Sequence, residues 1–451
     1  MDLSPSHWIQ LNIAGLLALV AGVVAYILPT RWIIPPLILL LPFPLIVSKF
    51  GSINVYLIYL VALIFGVRGQ LRHLPYIGFV LLIAFAYAIA LTQANPVTMR
   101  EQLLYLLFIG SDFLLFYLVY NFYKENSDAQ GFLYLLVALS GLVLTYSLVQ
   151  MVVGMNPNSP LFQGEISLKP PRSDGRLTGP FGGVGITAEY MVMTVFISGF
   201  ILLTARPGPA MRRLLILIIL GSLAAMVATA NRGAVFTIVF SGLFFLYLFR
   251  RELGFRGILI AIGGTGFAFA LVATVVINYT DFDRLFERLE ETDVEEGMPD
   301  TRSKVWPATW ALIQERPIAG HGPQSHFSEA TYSKRGAPAP IYWPHNLYLY
   351  LWYTLGIIGL IAYLAWFGRM YLDYYRASRL SKQDAIDDGL PKLAMVIMSV
   401  FIIDQIKVEF LRSLTMEYQH FMFMLWGALA ALATRNGKGG VGQQPVRSEG
   451  S

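Results

Sequence analysis

The 451-residue chain contains no cysteine, which excludes thiolate catalysis, thiolate metal sites and disulfides. Charge is scarce as well. Only 14% of residues are Asp, Glu, Lys or Arg, against about 25% in an ordinary soluble domain. Long polar intervals are nearly missing, and the mean hydropathy is +0.58. Apolar runs recur from Ile9 to Leu432, and Thr280 to Pro344 is the one stretch long enough for anything else. No Gly-X-X-X-X-Gly-Lys-Ser/Thr occurs, so a P-loop nucleotidase is not in view. The net charge of +5 is spread over short loops between apolar runs, which argues against nucleic acid as a partner. No repeat of fixed period and no match between the two halves is visible.

What remains is a chain that is 56% hydrophobic. Measured against the roughly 20 residues needed to cross hydrocarbon, it reads as an all-α polytopic membrane protein with about 12–13 transmembrane helices. Expected spans are 9–29, 33–47, 53–67, 76–92, 102–122, 131–153, 186–204, 214–230, 233–249, 257–278, 345–366, 391–411 and 418–434. The second and third of these are short, and Pro35, Pro36, Pro42 and Pro44 would break a helix, so one of the two is expected to be re-entrant or merged. Met1 to Trp8 holds no basic residue, and the first span is read as a signal anchor or ordinary span, not a cleaved leader. Arg206, Arg212, Arg213, Arg250, Arg251, Arg256, Arg369, Arg376, Arg379, Lys382, Arg435 and Lys438 define the cytoplasmic side. The organisation follows: N-terminal helices over 1–153, central helices with a Gly/Arg-containing external loop (154–185) over 154–278, a large, partly helical external loop over 279–344, C-terminal helices over 345–435, and a disordered cytoplasmic tail over 436–451.

Within the large loop, the spacing of Phe282, Leu285, Phe286, Leu289 and Val294 predicts an amphipathic surface helix among nine acids between Asp281 and Asp300. A second helix is expected from Ser303 to Glu315, with Arg302 at its positive end, a place suited to an anion. Arg232 lies between two apolar stretches, where an arginine is costly unless it faces an anion or a wet cavity; the bland reading is a snorkelling hairpin residue. Lys407 and Arg412 sit at similar depth with Asp404 and Glu409 as structural partners. Among six histidines, His345 opens a span after an aromatic stretch, either as a proton-transfer group or as an interfacial anchor. His321 and His326 read as solvated. With His345 they lack zinc-ligand spacing, and Asp281-Phe282-Asp283 is a short pattern that chance supplies among so many acids, so no metal site is assigned. In the loop Pro171 to Gly183, glycines let backbone amides approach an anion, with Arg172 and Arg176 adding charge; the alternative is a solvated turn.

Four stretches then fall into one order: Arg176-Leu177-Thr178-Gly179-Pro180-Phe181-Gly182 before a span, Asn231-Arg232-Gly233-Ala234 at a hairpin, Arg302 to Gly322 with Trp306, Pro317 and Gly320, and His345-Asn346-Leu347-Tyr348-Leu349 with Gly356 and Gly359. As an ordered set over residues 170 to 360, the chain resembles the O-antigen ligase and polysaccharide polymerase superfamily of bacterial inner-membrane glycosyltransferases. It departs from that family where Gly183-Val184-Gly185 replaces the usual Asn-Pro-Asn. The resemblance implies a GT-C-like fold and metal-independent, cofactor-free transfer of a glycan from undecaprenyl diphosphate to an acceptor hydroxyl at the periplasmic face of the inner membrane. The implied acceptor is a lipid A core for a ligase or another glycan for a polymerase. His345 is the candidate base; Arg232 and Arg302, with Arg176 and Arg172, are the candidate diphosphate-binding residues. A flippase for lipid-linked oligosaccharide, or another transporter, would need the arginines but not His345, and a scaffold would need neither.

Overall fold

The computed structural model describes residues 20, 22–24, 26–43, 47–48, 51–94, 96, 99–154, 175–279, 302–323, 343–380, 384–411 and 416–434. Most of the first expected span, the amphipathic stretch 281–296 with Asp281 and Asp283, Arg172, His326, Arg412 and the tail 436–451 lie outside the described residues.

After a 3-10 turn at Thr30–Trp32, thirteen α-helices have described bounds: α1 Ile34–Leu40, α2 Ile53–Val67, α3 Ile77–Thr92, α4 Met99–Asn126, α5 Ala129–Gly154, α6 Val184–Thr204, α7 Pro209–Ala228, α8 Arg232–Leu248, α9 Arg250–Tyr279, α10 Arg302–Glu315, α11 Leu347–Ser378, α12 Ala385–Asp404 and α13 Met416–Ala433. Among the described residues, the exception to this all-helical build is a short antiparallel pair, β1 Val47–Ser48 against β2 Gly51–Ser52. Among those residues α4, α5, α6, α7 and α11 are long and apolar enough to cross a membrane, as expected of a polytopic membrane protein. The second expected stretch is interrupted, as its prolines imply. Pro35 and Pro36 start α1, which ends after seven residues, a rise of about 10 Å where the hydrocarbon is about 30 Å thick.

The core is built on α13, whose residues Glu417 to Ala433 are all buried. It packs most intimately on α4, where a Cβ at Gly427 would come within 2.5 Å of the Phe116 carbonyl oxygen. A small residue at a helix crossing lets two backbones approach where no hydrophobic effect drives them together. The same interface holds a polar contact, His420 Nε2 at 3.1 Å from Ser111 Oγ and 3.6 Å from Asp112 Oδ1. Around it an aromatic cluster joins α4, α11, α12 and α13 through Phe113, Trp366, Phe367, Phe401, Phe423 and Trp426. α6 packs on α7, α8 and α12 to form the second half of the bundle.

The basic residues Arg206, Arg212, Arg213, Arg250 and Arg251 gather where α6 and α8 end and where α7 and α9 begin. α12 starts at that same end, capped by the Asp384 side chain on the Ile386 amide, and Lys392 is 2.5 Å from Glu252 of α9. The opposite end, where α6, α8 and α11 begin and α7 and α12 finish, carries the residues considered next.

Candidate functional site

The Arg176 loop is fastened from three sides. Gln150 of α5 accepts from the Gly179 amide at 2.9 Å through Oε1 and donates to Thr178 Oγ1 at 3.0 Å through Nε2. The Leu177 amide donates to the Ala228 carbonyl at the end of α7, at 3.1 Å, and Thr187 of α6 donates to the Thr178 carbonyl. Arg176 is 8% exposed, so the solvated-turn reading fails for this residue.

Arg232 is the first residue of α8. Asn231 caps that helix by accepting from the Gly233 amide at 3.0 Å, and Ala230 makes the preceding turn with a left-handed φ of 48°. Two glycines open the space in front. A Cβ at Gly233 would come within 2.1 Å of Lys407 Cδ, and one at Gly185 within 2.6 Å of Val408 Cγ2. The strap that follows α12, residues 405–411, therefore lies flush across the starts of α6 and α8. Within Gly183-Val184-Gly185, Gly185 is where the strap presses.

Buried polar contacts hold the strap. Lys407 Nζ is 2.5 Å from Asp404 Oδ1, which also accepts from Thr237 of α8 at 2.9 Å. Gln405 donates to Glu189 of α6 at 3.0 Å and accepts from the Phe410 amide at 3.1 Å. Its main-chain carbonyl accepts from the Leu347 amide at 2.9 Å, tying the strap to the start of α11.

Arg302 opens α10 as the spacing predicts, and its Nη2 donates to the Lys407 carbonyl at 3.2 Å. One turn later Trp306 donates to the Pro344 carbonyl at 2.9 Å. The far end of α10 continues into a tight loop that docks on a kink in α11. His321 and Gly322 amides donate to the Tyr353 and Thr354 carbonyls at 2.9 and 3.1 Å, and the Ile357 amide donates to Pro317 at 2.9 Å. Gly356 makes the kink with φ 67° and ψ −176°, a region open essentially to glycine alone. A Cβ there would fall 1.9 Å from the Ile318 carbonyl oxygen. His321 is not solvated as expected. Its ring stacks on Tyr353 at 4.8 Å, and Nε2 donates to the Leu312 carbonyl at 2.8 Å, so it clamps this junction.

His345 precedes α11 by two residues, correcting the expected span start; Asn346 is the cap, accepting from the Tyr348 and Leu349 amides at 3.0 and 3.1 Å. The His345 backbone is left-handed, φ 48°, and its side chain is 47% exposed. Nδ1 faces Glu409 Oε1 at 3.6 Å, and that carboxylate is 1% exposed.

His345 and Arg302 thus converge directly on the strap, and Arg232 stands beside it at Gly233. Arg176 joins the same end through Ala228 and Thr187. The Lys407–Asp404 pairing was legible; Glu409 as the partner of His345 was not, because sequence proximity pointed to Lys407. Among the described residues no group of three or more His, Asp or Glu side chains is placed to hold a metal ion. Chemically, the site offers a half-exposed imidazole backed by a buried carboxylate, with Arg302 on the same strap and Arg232 at the start of the helix that the strap crosses.

Comparison with known proteins bears on this same stretch. Residues 214–364, which run from within α7 to within α11, match the family described as O-Antigen ligase. Over 151 residues the chain is 31% identical to an O-antigen ligase of Salmonella typhimurium (strain LT2), covering 32% of this chain and 35% of that relative. The match thus spans about a third of the curated relative's length.

Proposed function

We propose, on the match of residues 214–364 to the O-antigen ligase family, that the chain is a multi-pass membrane glycosyltransferase of the ligase type. It transfers a glycan from undecaprenyl diphosphate to an acceptor hydroxyl, with a lipid A core as the acceptor class, at the periplasmic face of the bacterial inner membrane. The observation that carries the reading is the convergence of His345, Arg302 and Arg232 on one strap at the bundle end away from the basic loops.

The chemistry follows from those groups. His345 Nε2 takes the proton of the acceptor hydroxyl as its oxygen forms the bond to the anomeric carbon. The bond from that carbon to the diphosphate breaks from the opposite face, giving inversion, and its electron pair leaves with the diphosphate. Arg232 and Arg302, helped by Arg176, neutralise the charge that develops there. Guanidinium groups remain charged and offer forked donors that match phosphate oxygens, so the reading requires no metal ion. Arg172 is a further candidate at the edge of the same loop.

The test is mass spectrometry of undecaprenyl-linked glycans from a deletion strain carrying wild type or His345→Ala. Long chains accumulating on the lipid with the variant support a ligase, whereas single repeats indicate a polymerase. If neither accumulates and the two strains look alike, the transferase reading fails and a transporter replaces it. Transfer by the purified protein should persist in EDTA, and a loss restored by magnesium or manganese would refute the metal-free mechanism.

A further inference from the structure

We propose that Glu409 is the positioning carboxylate of His345, holding the imidazole with its proton on Nδ1 so that Nε2 faces the acceptor, and stabilising the imidazolium formed on proton transfer. This deepens the transferase reading and rests on it. Three observations carry the proposal.

The first is the asymmetry of the pair. Glu409 is withdrawn from solvent while the His345 side chain is half exposed, so the imidazole meets a buried carboxylate with Nδ1 and still presents surface outside that contact. The Nδ1–Oε1 distance of 3.6 Å is an ion-pair separation, too long for a made hydrogen bond. Contacts of this kind tighten when substrate arrives. A carboxylate on the far nitrogen fixes the tautomer and raises the basicity of the near one.

The second is the effort spent on placing Glu409. Its neighbour Phe410 is inserted into the aromatic core, 4.9 Å from Phe401 and 5.7 Å from Trp426. Gln405 bonds the Phe410 amide with its side chain and the Leu347 amide with its main-chain carbonyl. One residue therefore registers the strap that bears Glu409 against the helix that His345 precedes. Glu189 fixes the other edge of Gln405 at 3.0 Å.

The third is the backbone of His345. A left-handed φ of 48° at a residue with a Cβ is strained and persists only where neighbours over-determine it. Here Trp306 holds the carbonyl just before it, and Asn346 and Gln405 hold the helix start just after it. The strained turn aims the imidazole at Glu409.

Other charged groups on the packed elements are Arg302 on α10, Arg232 on α8, Glu189 on α6, and Asp404 and Lys407 at the base of the strap. Lys407 and Asp404 engage each other, and Arg302 engages the Lys407 carbonyl. Glu409 is the carboxylate that meets the imidazole.

The experiment uses the full chain in detergent with two probes: undecaprenyl-linked glycan and lipid A core, each extracted from the deletion strain. Glu409→Gln keeps the shape and removes the charge. It should lower kcat by about 10²- to 10⁴-fold with the donor KM within about threefold of wild type. Removing the negative neighbour destabilises the imidazolium, so the acidic limb of the pH profile should move to lower pH. Glu409→Asp should recover part of the rate and of the limb position. In parallel, the His345 ring is titrated by NMR on histidine-labelled protein, assigned by its loss in His345→Ala. A lower titration midpoint in Glu409→Gln supports the dyad. An unmoved midpoint overturns it, even if activity falls. If the midpoint moves but wild type transfers nothing, the contact is real while the transferase reading and the catalytic part of this proposal both fall.

Discussion

Two glycines twelve residues apart on α11 should respond to the same substitution in opposite directions. At Gly356 an alanine must adopt φ 67°, ψ −176°, at a cost of about 1–3 kcal/mol. Its Cβ would also lie 1.9 Å from the Ile318 carbonyl oxygen, so the docked loop must retreat by more than an ordinary adjustment. The retreat strains three hydrogen bonds, from His321, Gly322 and Ile357, each contributing about 0.5–1.5 kcal/mol. Together these give a loss of roughly 3 kcal/mol or more. At about 2 °C per kcal/mol for a larger chain, the thermal midpoint of Gly356→Ala should fall by at least about 6 °C. A Cβ at Gly368 would meet nothing within 4 Å, and this residue lies in regular, exposed helix, so Gly368→Ala should be neutral or stabilising by up to about 1 kcal/mol. Scanning fluorimetry in detergent reads both. Equal midpoints for the two variants would refute the described junction between α10 and α11.

Lys407→Met leaves Asp404, 0% exposed, without its cation, and should cost about 3–5 kcal/mol; adding Asp404→Asn should recover most of the loss, as a double-mutant cycle of midpoints will show. If the paired change is as damaging as the single one, the ion pair is not what Lys407 provides. Arg302→Ala should weaken donor engagement by about 10- to 100-fold, the worth of a charged hydrogen bond, and Arg302→Lys should not restore it because the fork is lost. Titration with the extracted donor checks this, and unchanged affinity in both variants would remove Arg302 from the diphosphate site.

Apolar periodicity located the long helices closely: 53–67 coincides with α2, and 131–153 falls within Ala129–Gly154. Runs buried in lipid or in a bundle must be apolar nearly all round, so their edges show. The interruption of the second expected span was legible in its prolines, and the helix there stops after Leu40, two residues before Pro42. Arg302 at a helix start was legible from Gly297 and Pro299 before it, and Arg232 stood out because apolar stretches flank it on both sides. The pairing of His345 with Glu409 was not, since it depends on how α11 and α12 are packed and on Phe410 seeking the aromatic core. His321 misled for a related reason. Glycines on either side suggested a free loop, yet Gly320 lets backbone lie against backbone at Thr354 and Gly356, and a Cβ at Gly322 would meet Gln102 Oε1 at 2.6 Å.

Arg302 and Trp306 stand one turn apart on the same face of α10, and each grips a different segment: one the strap carbonyl at Lys407, the other the carbonyl that precedes His345. The helix is thus a two-pronged staple, with both prongs on the turn that precedes Pro307. A staple transmits displacement. Under the proposed function, an anion that draws Arg302 toward itself would move the indole of Trp306 as well, and through that bond the turn that carries the imidazole. Donor binding and the placing of the imidazole would then share one helix.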